Sequence, residues 1–225
     1  MSTIEENTMH PIQHSFIYLA SQSPRRQELL HQIGVDFQLL LADPDEDSES
    51  LETQKPHEVA LEYVKRVTLA KLEAAKHRLQ KRQLPWAPIL CADTTVAITL
   101  KGEEFILGKP TDTSDAKRIL GLLSGQTHHV YTAIALLPEF SAHDFSPILK
   151  VSSSSVTFKE LSLDEINTYV ASLEPMGKAG AYGIQGQAGA LISHISGSFS
   201  GIMGLPLFET SEVLKETGVK FSNRT

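Results

Sequence analysis

The chain has 225 residues, 41% hydrophobic and 21% charged, with a formal net charge of −7, which fits a folded globular protein and argues against a broad nucleic-acid-binding surface. No apolar run is long enough to cross a bilayer, and the first fifteen residues lack the apolar core of a secretory signal. Cys91 is the one cysteine, so no intrachain disulfide can form, and cytoplasmic residence is expected.

Residues 1–15 are polar and unpatterned and read as a loose extension; the two histidines in it, His10 and His14, are more simply solvated than metal-bound. Phe16–Ala20 is a short apolar run that predicts a buried strand. It feeds Ser21-Gln22-Ser23-Pro24-Arg25-Arg26, where Ser23 can cap a helix and Pro24 suits its first position, having no N–H to lose. Leu29, Leu30 and Ile33 give that helix an apolar face, and Gly34 can close it. A helix N-terminus carrying two arginines is a candidate phosphate cradle. A surface cap with two solvated arginines fits the same pattern.

A second strand is expected over 35–41, followed by an acidic run, Asp43-Pro44-Asp45-Glu46-Asp47-Ser48-Glu49. Most such runs are solvated loops. The alternative is that one or two of these carboxylates share a divalent cation with bound phosphate, since Mg²⁺ takes both kinds of oxygen. Pro56 opens a long helix expected to reach about Gln83, with Val59, Tyr63 and Val67 as its buried stripe. Lys71 continues that stripe, so it either snorkels outward or points into a polar cleft.

Residues 89–98 form a nearly continuous apolar strand with Asp93 in its middle. A buried carboxylate is costly unless paired, hydrogen-bonded or on a metal, so functional use is the better reading of Asp93. Cys91 reads as a small core residue. Lys101-Gly102 marks a hairpin turn, and Gly108-Lys109-Pro110 is a rigid loop that can present one more cation or simply end a strand. A helix is expected over 113–123, then a strand over 127–137, on which His128 and His129 face opposite ways; one buried and one exposed histidine is the default. A loop over 138–147 and a strand over 148–158 follow, whose serines 152–155 mark a polar face.

Ser162-Leu163-Asp164-Glu165 is a capping box, stapled by Leu161 and Ile166, for a helix running to about Ser172. The stretch from Glu174 to Gln187 carries four glycines among small residues, which allows close backbone approach to a ligand or close packing on a strand. It is neither a Walker motif nor a dinucleotide fingerprint. Gln185 offers one acceptor and a pair of donors, which suits a nucleobase edge. A last strand is expected over 190–195, a flexible loop over 197–204, a helix starting at Pro206, and a frayed tail over 218–225.

Ser21-Gln22-Ser23-Pro24-Arg25-Arg26, Ala92-Asp93-Thr94-Thr95-Val96 and Gly180-Ala181-Tyr182-Gly183-Ile184-Gln185-Gly186 stand in that order, joined by Gly108-Lys109-Pro110, Leu123-Ser124-Gly125 and Gly204-Leu205-Pro206-Leu207. Together they resemble the Maf family of nucleoside triphosphate pyrophosphatases, over residues 16–217, read as a single domain. The resemblance implies a mixed α/β fold like that of inosine triphosphate pyrophosphatases: a long twisted mixed sheet with flanking helices, two lobes around a cleft, in a homodimer. It implies cleavage of the α–β phosphoanhydride of a nucleotide, and the Gly-Ala-Tyr-Gly-Ile-Gln-Gly stretch looks like the dTTP/UTP branch. By position, Asp93 matches the proton acceptor. Arg25, Thr94 and Gln185 match specificity-determining positions. Ser21, Arg26, Lys71 and Lys109 match polar, phosphate-binding residues of the cleft. Asp93 and Glu46, with Asp45 as the alternative to Glu46, match the side that helps hold Mg²⁺ or Mn²⁺. Gln22 departs from the small residue expected between the two serines. The rival readings are a 7-methyl-GTP pyrophosphatase of the same family, a nucleotide-binding regulator of septum formation and cell division, and a sugar-nucleotide transferase; neither a nucleic acid nor a membrane is expected as partner.

Overall fold

A computed structural model describes residues 14–47, 50–138 and 146–221. Most of the expected N-terminal extension, Ser48 and Glu49 of the acidic run, most of the 138–147 loop and the last four residues of the tail lie outside the described residues. Seven strands form one mixed sheet in the order β2-β1-β3-β5-β6-β7, with β4 paired to β3 off that path. They are β1 (Ile17–Leu19), β2 (Phe37–Leu39), β3 (Ile89–Leu100), β4 (Glu103–Leu107), β5 (Thr127–Leu137), β6 (Ile148–Phe158) and β7 (Ile192–Ser196). The helices are α1 (Pro24–Gln32), α2 (Ala60–Lys81), α3 (Thr113–Leu123), α4 (Leu163–Ala171), α5 (Phe199–Met203) and α6 (Leu207–Glu216). This is the expected mixed α/β class with a long sheet and flanking helices.

The topology places a gap where the sheet changes partners. On one edge of β3, the parallel strand β1 pairs only with its start, Tyr18 against Ile89 and Leu19 against Leu90. The antiparallel strand β4 pairs with the same edge only from Val96 onward. Asp93, Thr94 and Thr95 lie between, where β1 has departed toward α1 and β4 has not yet arrived. Their other edge is fully paired with β5, Asp93 standing opposite Ala133. The crevice beside such a split is where an open sheet offers ligands a site.

Three apolar clusters brace this gap. One packs α3, α4 and Tyr182 on the far half of the sheet, a second packs α1 and α6 beneath β1, and a third sets α2 against β1 and the start of β3. The helix α2 differs from its expected register. Val67 is buried as expected, but Val59 is 51% exposed and Tyr63 only partly buried, and the rest of the buried stripe is Ala60, Val64, Leu72 and Ala75. The expected stripe counted steps of four from a residue that precedes the helix, so it drifted off the true face. The expected loop over 197–204 holds the short helix α5, capped by Ser198, whose side chain accepts from the Gly201 N–H. The tail is ordered further than expected: Val219 is buried, and the Lys220 N–H donates to the His14 carbonyl at 3.1 Å. Two further local signals fall as expected. The Ser162/Glu165 capping box forms at α4, and His128 is buried against the Tyr182 hydroxyl at 2.8 Å while His129 is exposed.

Candidate active site

The gap beside β3 opens into a cavity of about 910 Å³, the size that holds a small-molecule ligand. Ser21, Arg25, Arg26, Lys71 and Asp93 all line it, and so do Glu46, Thr94, Lys109 and Gln185. The structure thus brings every candidate site residue to one cavity.

Asp93 sits on its floor, 9% exposed. Lys71, one side of α2, donates to Asp93 Oδ1 at 2.7 Å and to Glu52 Oε1 at 2.6 Å. It therefore points into the cleft and not outward. Burial opposes the charge on Lys71 most strongly, but the two carboxylates outweigh it and raise its pKa. Glu52 continues the chain of charges: Lys109 donates to its Oε2 at 2.9 Å. Burial raises the Glu52 pKa, and Lys71 and Lys109 together overcome that and lower it. Asp93, Lys71, Glu52 and Lys109 thus form an alternating network along one wall.

The opposite wall is the start of α1. Ser23 occupies its N-cap but, against expectation, makes no side-chain cap bond; Ser21 Oγ accepts from the Ser23 N–H at 3.2 Å. Arg26 turns inward and is held on three sides, by Ser21 Oγ at 3.1 Å, the Gly204 carbonyl at 2.8 Å and Thr94 Oγ1 at 3.4 Å. Burial lowers the Arg26 pKa while Asp93 works against the shift. Arg25 donates to the Met203 carbonyl at 3.3 Å. Thr94 is itself fixed by Thr132, whose hydroxyl donates to the Gly201 carbonyl at 2.7 Å and lies 3.0 Å from Thr94 Oγ1, from which it can accept. The end of the 197–204 stretch, expected as a flexible loop, therefore helps position both arginines through the carbonyls of Met203 and Gly204.

The third wall is the glycine-rich stretch carrying Gln185. Gly180 has φ +70°, and a Cβ there would lie 2.9 Å from both methyls of Val96. Only glycine lets this backbone lie directly on β3.

Glu46 lines the cavity, but its contacts differ from those expected. Glu46 was expected beside Asp93 on the metal, but the structure gives its carboxylate another partner. Arg78 of α2 grips it, from Nε at 2.8 Å and Nη2 at 2.5 Å, while Arg78 Nη1 donates to the Leu40 carbonyl at 2.8 Å. The fork of Arg78 holds the Glu46 carboxyl down near about 2. Asp45, the alternative, lies by the exposed Lys81 at 4.0 Å. The acidic run is thus largely stitched to α2. The carboxylate that shares Lys71 with Asp93 is Glu52, which sequence reasoning missed. Its backbone is pinned by α2: Tyr63 Oη donates to the Glu52 carbonyl at 2.7 Å, and Arg66 donates to the Leu51 and Thr53 carbonyls at 3.3 and 2.9 Å. A loop glutamate has no periodicity to mark it. The only available signal was that Tyr63 and Arg66 sit on the helix face that carries Lys71.

A paired prediction separates the two glutamates. Glu46→Gln is expected to leave turnover within a few-fold and to lower stability, whereas Glu52→Gln is expected to lower kcat/KM by about tenfold or more, the worth of a charge-assisted bond. The Glu46 pKa is depressed on folding, so its contribution is present above the unfolded value near 4.5 and is lost as pH falls toward 2. Thermal midpoints measured from pH 6 to pH 2 should therefore drop less steeply in Glu46→Gln than in the parent.

A cleft opened between two strands, floored by one carboxylate and walled by cations, defines a mixed α/β protein built to hold a polyanion. The family profile described as Maf-like protein matches residues 16–217. A protein of Albidiferax ferrireducens named dTTP/UTP pyrophosphatase is 56% identical over 205 residues, 91% of this chain and 98% of that protein. One of Cupriavidus pinatubonensis with the same name is 52% identical over 208 residues, 92% of this chain and 100% of that protein. Among solved structures, a HAM1 protein from Coxiella burnetii is 17% identical with a TM-score of 0.47, covering 90% of this chain and 100% of that one. The chain belongs to the Maf-like protein family.

Proposed function

We propose that the protein is a nucleoside triphosphate pyrophosphatase that hydrolyses dTTP and UTP to the monophosphate and pyrophosphate, clearing them from the nucleotide pool. The observation that carries this reading is the buried Asp93 carboxylate, held by Lys71 on the floor of a cleft into which Arg25, Arg26, Lys71 and Lys109 converge. A site that only bound phosphate would gain nothing from a buried carboxylate at its floor. The shared name of the relatives supports the same reading.

In this reading the triphosphate lies along the cleft. Lys71, Lys109 and Arg26 neutralise its oxygens, with charge stabilisation growing as the α–β bond breaks. Asp93 accepts a proton from the water that attacks phosphorus, and the pyrophosphate leaves. Lys71 fixes the Asp93 carboxylate in place for that transfer. Arg25, Thr94 and Gln185 face the nucleoside, where the Gln185 amide matches the N3–H and O4 of uracil and thymine, giving an acceptor to one and a donor to the other.

The donor set suits Mg²⁺ or Mn²⁺. Asp93 and Glu52 are hard oxygen ligands reaching the same ammonium, and such ions usually take one or two carboxylates with the rest of their shell from phosphates and water. Among the described residues no three His, Cys, Asp or Glu side chains gather to hold a metal by themselves. Asp93 and Glu52 are the residues that would hold the ion, and bound there it would neutralise phosphate charge. A homodimer and cytoplasmic residence belong to the same proposal. Among the described residues no helix is long and apolar enough to cross a membrane, and light scattering tests the dimer.

The deciding experiment measures pyrophosphate release from dTTP, UTP, CTP, GTP and 7-methyl-GTP separately, with Mg²⁺ or Mn²⁺, identifying the nucleotide product. Fast conversion of dTTP and UTP to monophosphates is expected. Preference for 7-methyl-GTP would overturn the base assignment, and no hydrolysis with binding intact would leave a nucleotide-binding regulator.

A further inference from the structure

Lys178 is a cation of the cleft to which neither the sequence motifs nor the mechanism above gives a role. It lines the cavity together with Gln185 and Arg25. Its stem lies over Gly183: a Cβ on Gly183 would meet Lys178 Cε at 3.1 Å and Gln185 Oε1 at 3.4 Å. The ammonium end of Lys178 and the amide of Gln185 are thus close neighbours, separated only by the space that a side chain at position 183 would fill.

The ammonium donates to the backbone carbonyl of Glu174. The Glu174 carboxylate is engaged elsewhere. It accepts from Tyr169 Oη at 2.9 Å, from the Gln187 N–H at 3.0 Å and from the Ala188 N–H at 3.5 Å. Tyr169 Oη in turn accepts from the Gly183 N–H at 3.2 Å. This buckle grips the backbone on both sides of Gln185 and leaves Lys178 bonded to a carbonyl and not to a carboxylate. An ammonium has three protons, and one carbonyl occupies one of them. Burial and the neighbouring Arg25 charge lower the Lys178 pKa, with Glu174 working against the shift.

We propose that Lys178 is a second base-reading residue, donating to the 4-oxo oxygen of a uracil or thymine ring whose N3–H and O4 face Gln185. This rests on the dTTP/UTP reading of the site. A carbonyl oxygen has two lone pairs, so O4 can accept from the Gln185 amide and from Lys178 together. Cytosine carries an amino group there, which would set a donor against an ammonium. The pair therefore both accepts the 4-oxo pyrimidines and rejects the 4-amino one, the sharper kind of discrimination because a mismatch leaves buried polar groups unpaired. The phosphate chain already has Arg26, Lys71 and Lys109 at the Asp93 end, so the pyrimidine is assigned to the end that Lys178 shares with Gln185.

The test uses Lys178→Met, which keeps the stem over Gly183 and removes the charge, with a thermal midpoint to confirm folding. The kcat/KM for UTP and for CTP is measured in parent and variant, together with inhibition by inorganic tripolyphosphate. The UTP-to-CTP preference is expected to fall about tenfold or more, the loss of one charge-assisted bond, while inhibition by tripolyphosphate stays within about twofold. Equal losses on UTP and CTP with weaker tripolyphosphate inhibition would make Lys178 a phosphate ligand and overturn the proposal. An unchanged preference would overturn it as well. If the parent itself shows no preference for UTP over CTP, the functional reading fails first and this assignment falls with it.

Discussion

Asp93→Asn is expected to lower pyrophosphate release from UTP by about 10³-fold or more, in the range lost with a general base, while the protein still folds and still binds dTTP. The substitution is nearly isosteric on a buried strand, so no cavity is opened. Lys71 keeps Glu52 as a partner at 2.6 Å, so its charge is not stranded. Removing a negative charge from beside the triphosphate should leave nucleotide affinity equal or tighter, which calorimetry with dTTP would read directly. Lost turnover with retained affinity separates chemistry from binding. A variant within tenfold of the parent would remove Asp93 as the proton acceptor.

The reason Asp93 was legible in sequence is physical. A carboxylate inside an apolar run is a local contradiction, and the split between β1 and β4 along β3 is its resolution. Arg25 and Arg26 were legible because a Ser-Pro start fixes where a helix begins. Lys71 was legible as an interruption of an apolar stripe, even though the stripe itself was set partly on the wrong residues. Glu52, Arg78 and Lys178 were not. Each gains its meaning from a partner distant in sequence or from a backbone carbonyl: Glu52 from Lys71 and Lys109, Arg78 from Glu46 and Leu40, Lys178 from Glu174 and its neighbour Gln185. Neither periodicity nor capping chemistry records such pairings. The acidic run misled for the same reason, since charge density in sequence does not say which carboxylate the helix α2 will turn toward the cleft and which it will bind itself. The 197–204 stretch was read as flexible from its glycines, yet its carbonyls at Met203 and Gly204 anchor both arginines.

Lys71 carries the second large effect, because it serves two carboxylates at once. Lys71→Met is expected to lower kcat/KM for UTP by about 10²-fold or more, losing both a phosphate-facing cation and the group that fixes Asp93. It should also destabilise the fold, by about 3 kcal/mol as for breaking a buried pair, since Asp93 would lose its ion-pair partner and Glu52 would keep only Lys109. That penalty has a distinctive remedy. Adding Asp93→Asn to Lys71→Met removes the stranded charge, so the double variant should regain most of the lost thermal stability and none of the activity. The coupling between the two positions, read as the departure of the double variant from the sum of the singles, measures the ion pair. If the stability losses simply add, Lys71 is not held by Asp93, and its 2.7 Å bond to that carboxylate would have no energetic weight. If the double variant is stable and also active, the proton acceptor lies elsewhere in the cleft, and Glu52, the other carboxylate that Lys71 holds, becomes the first residue to replace.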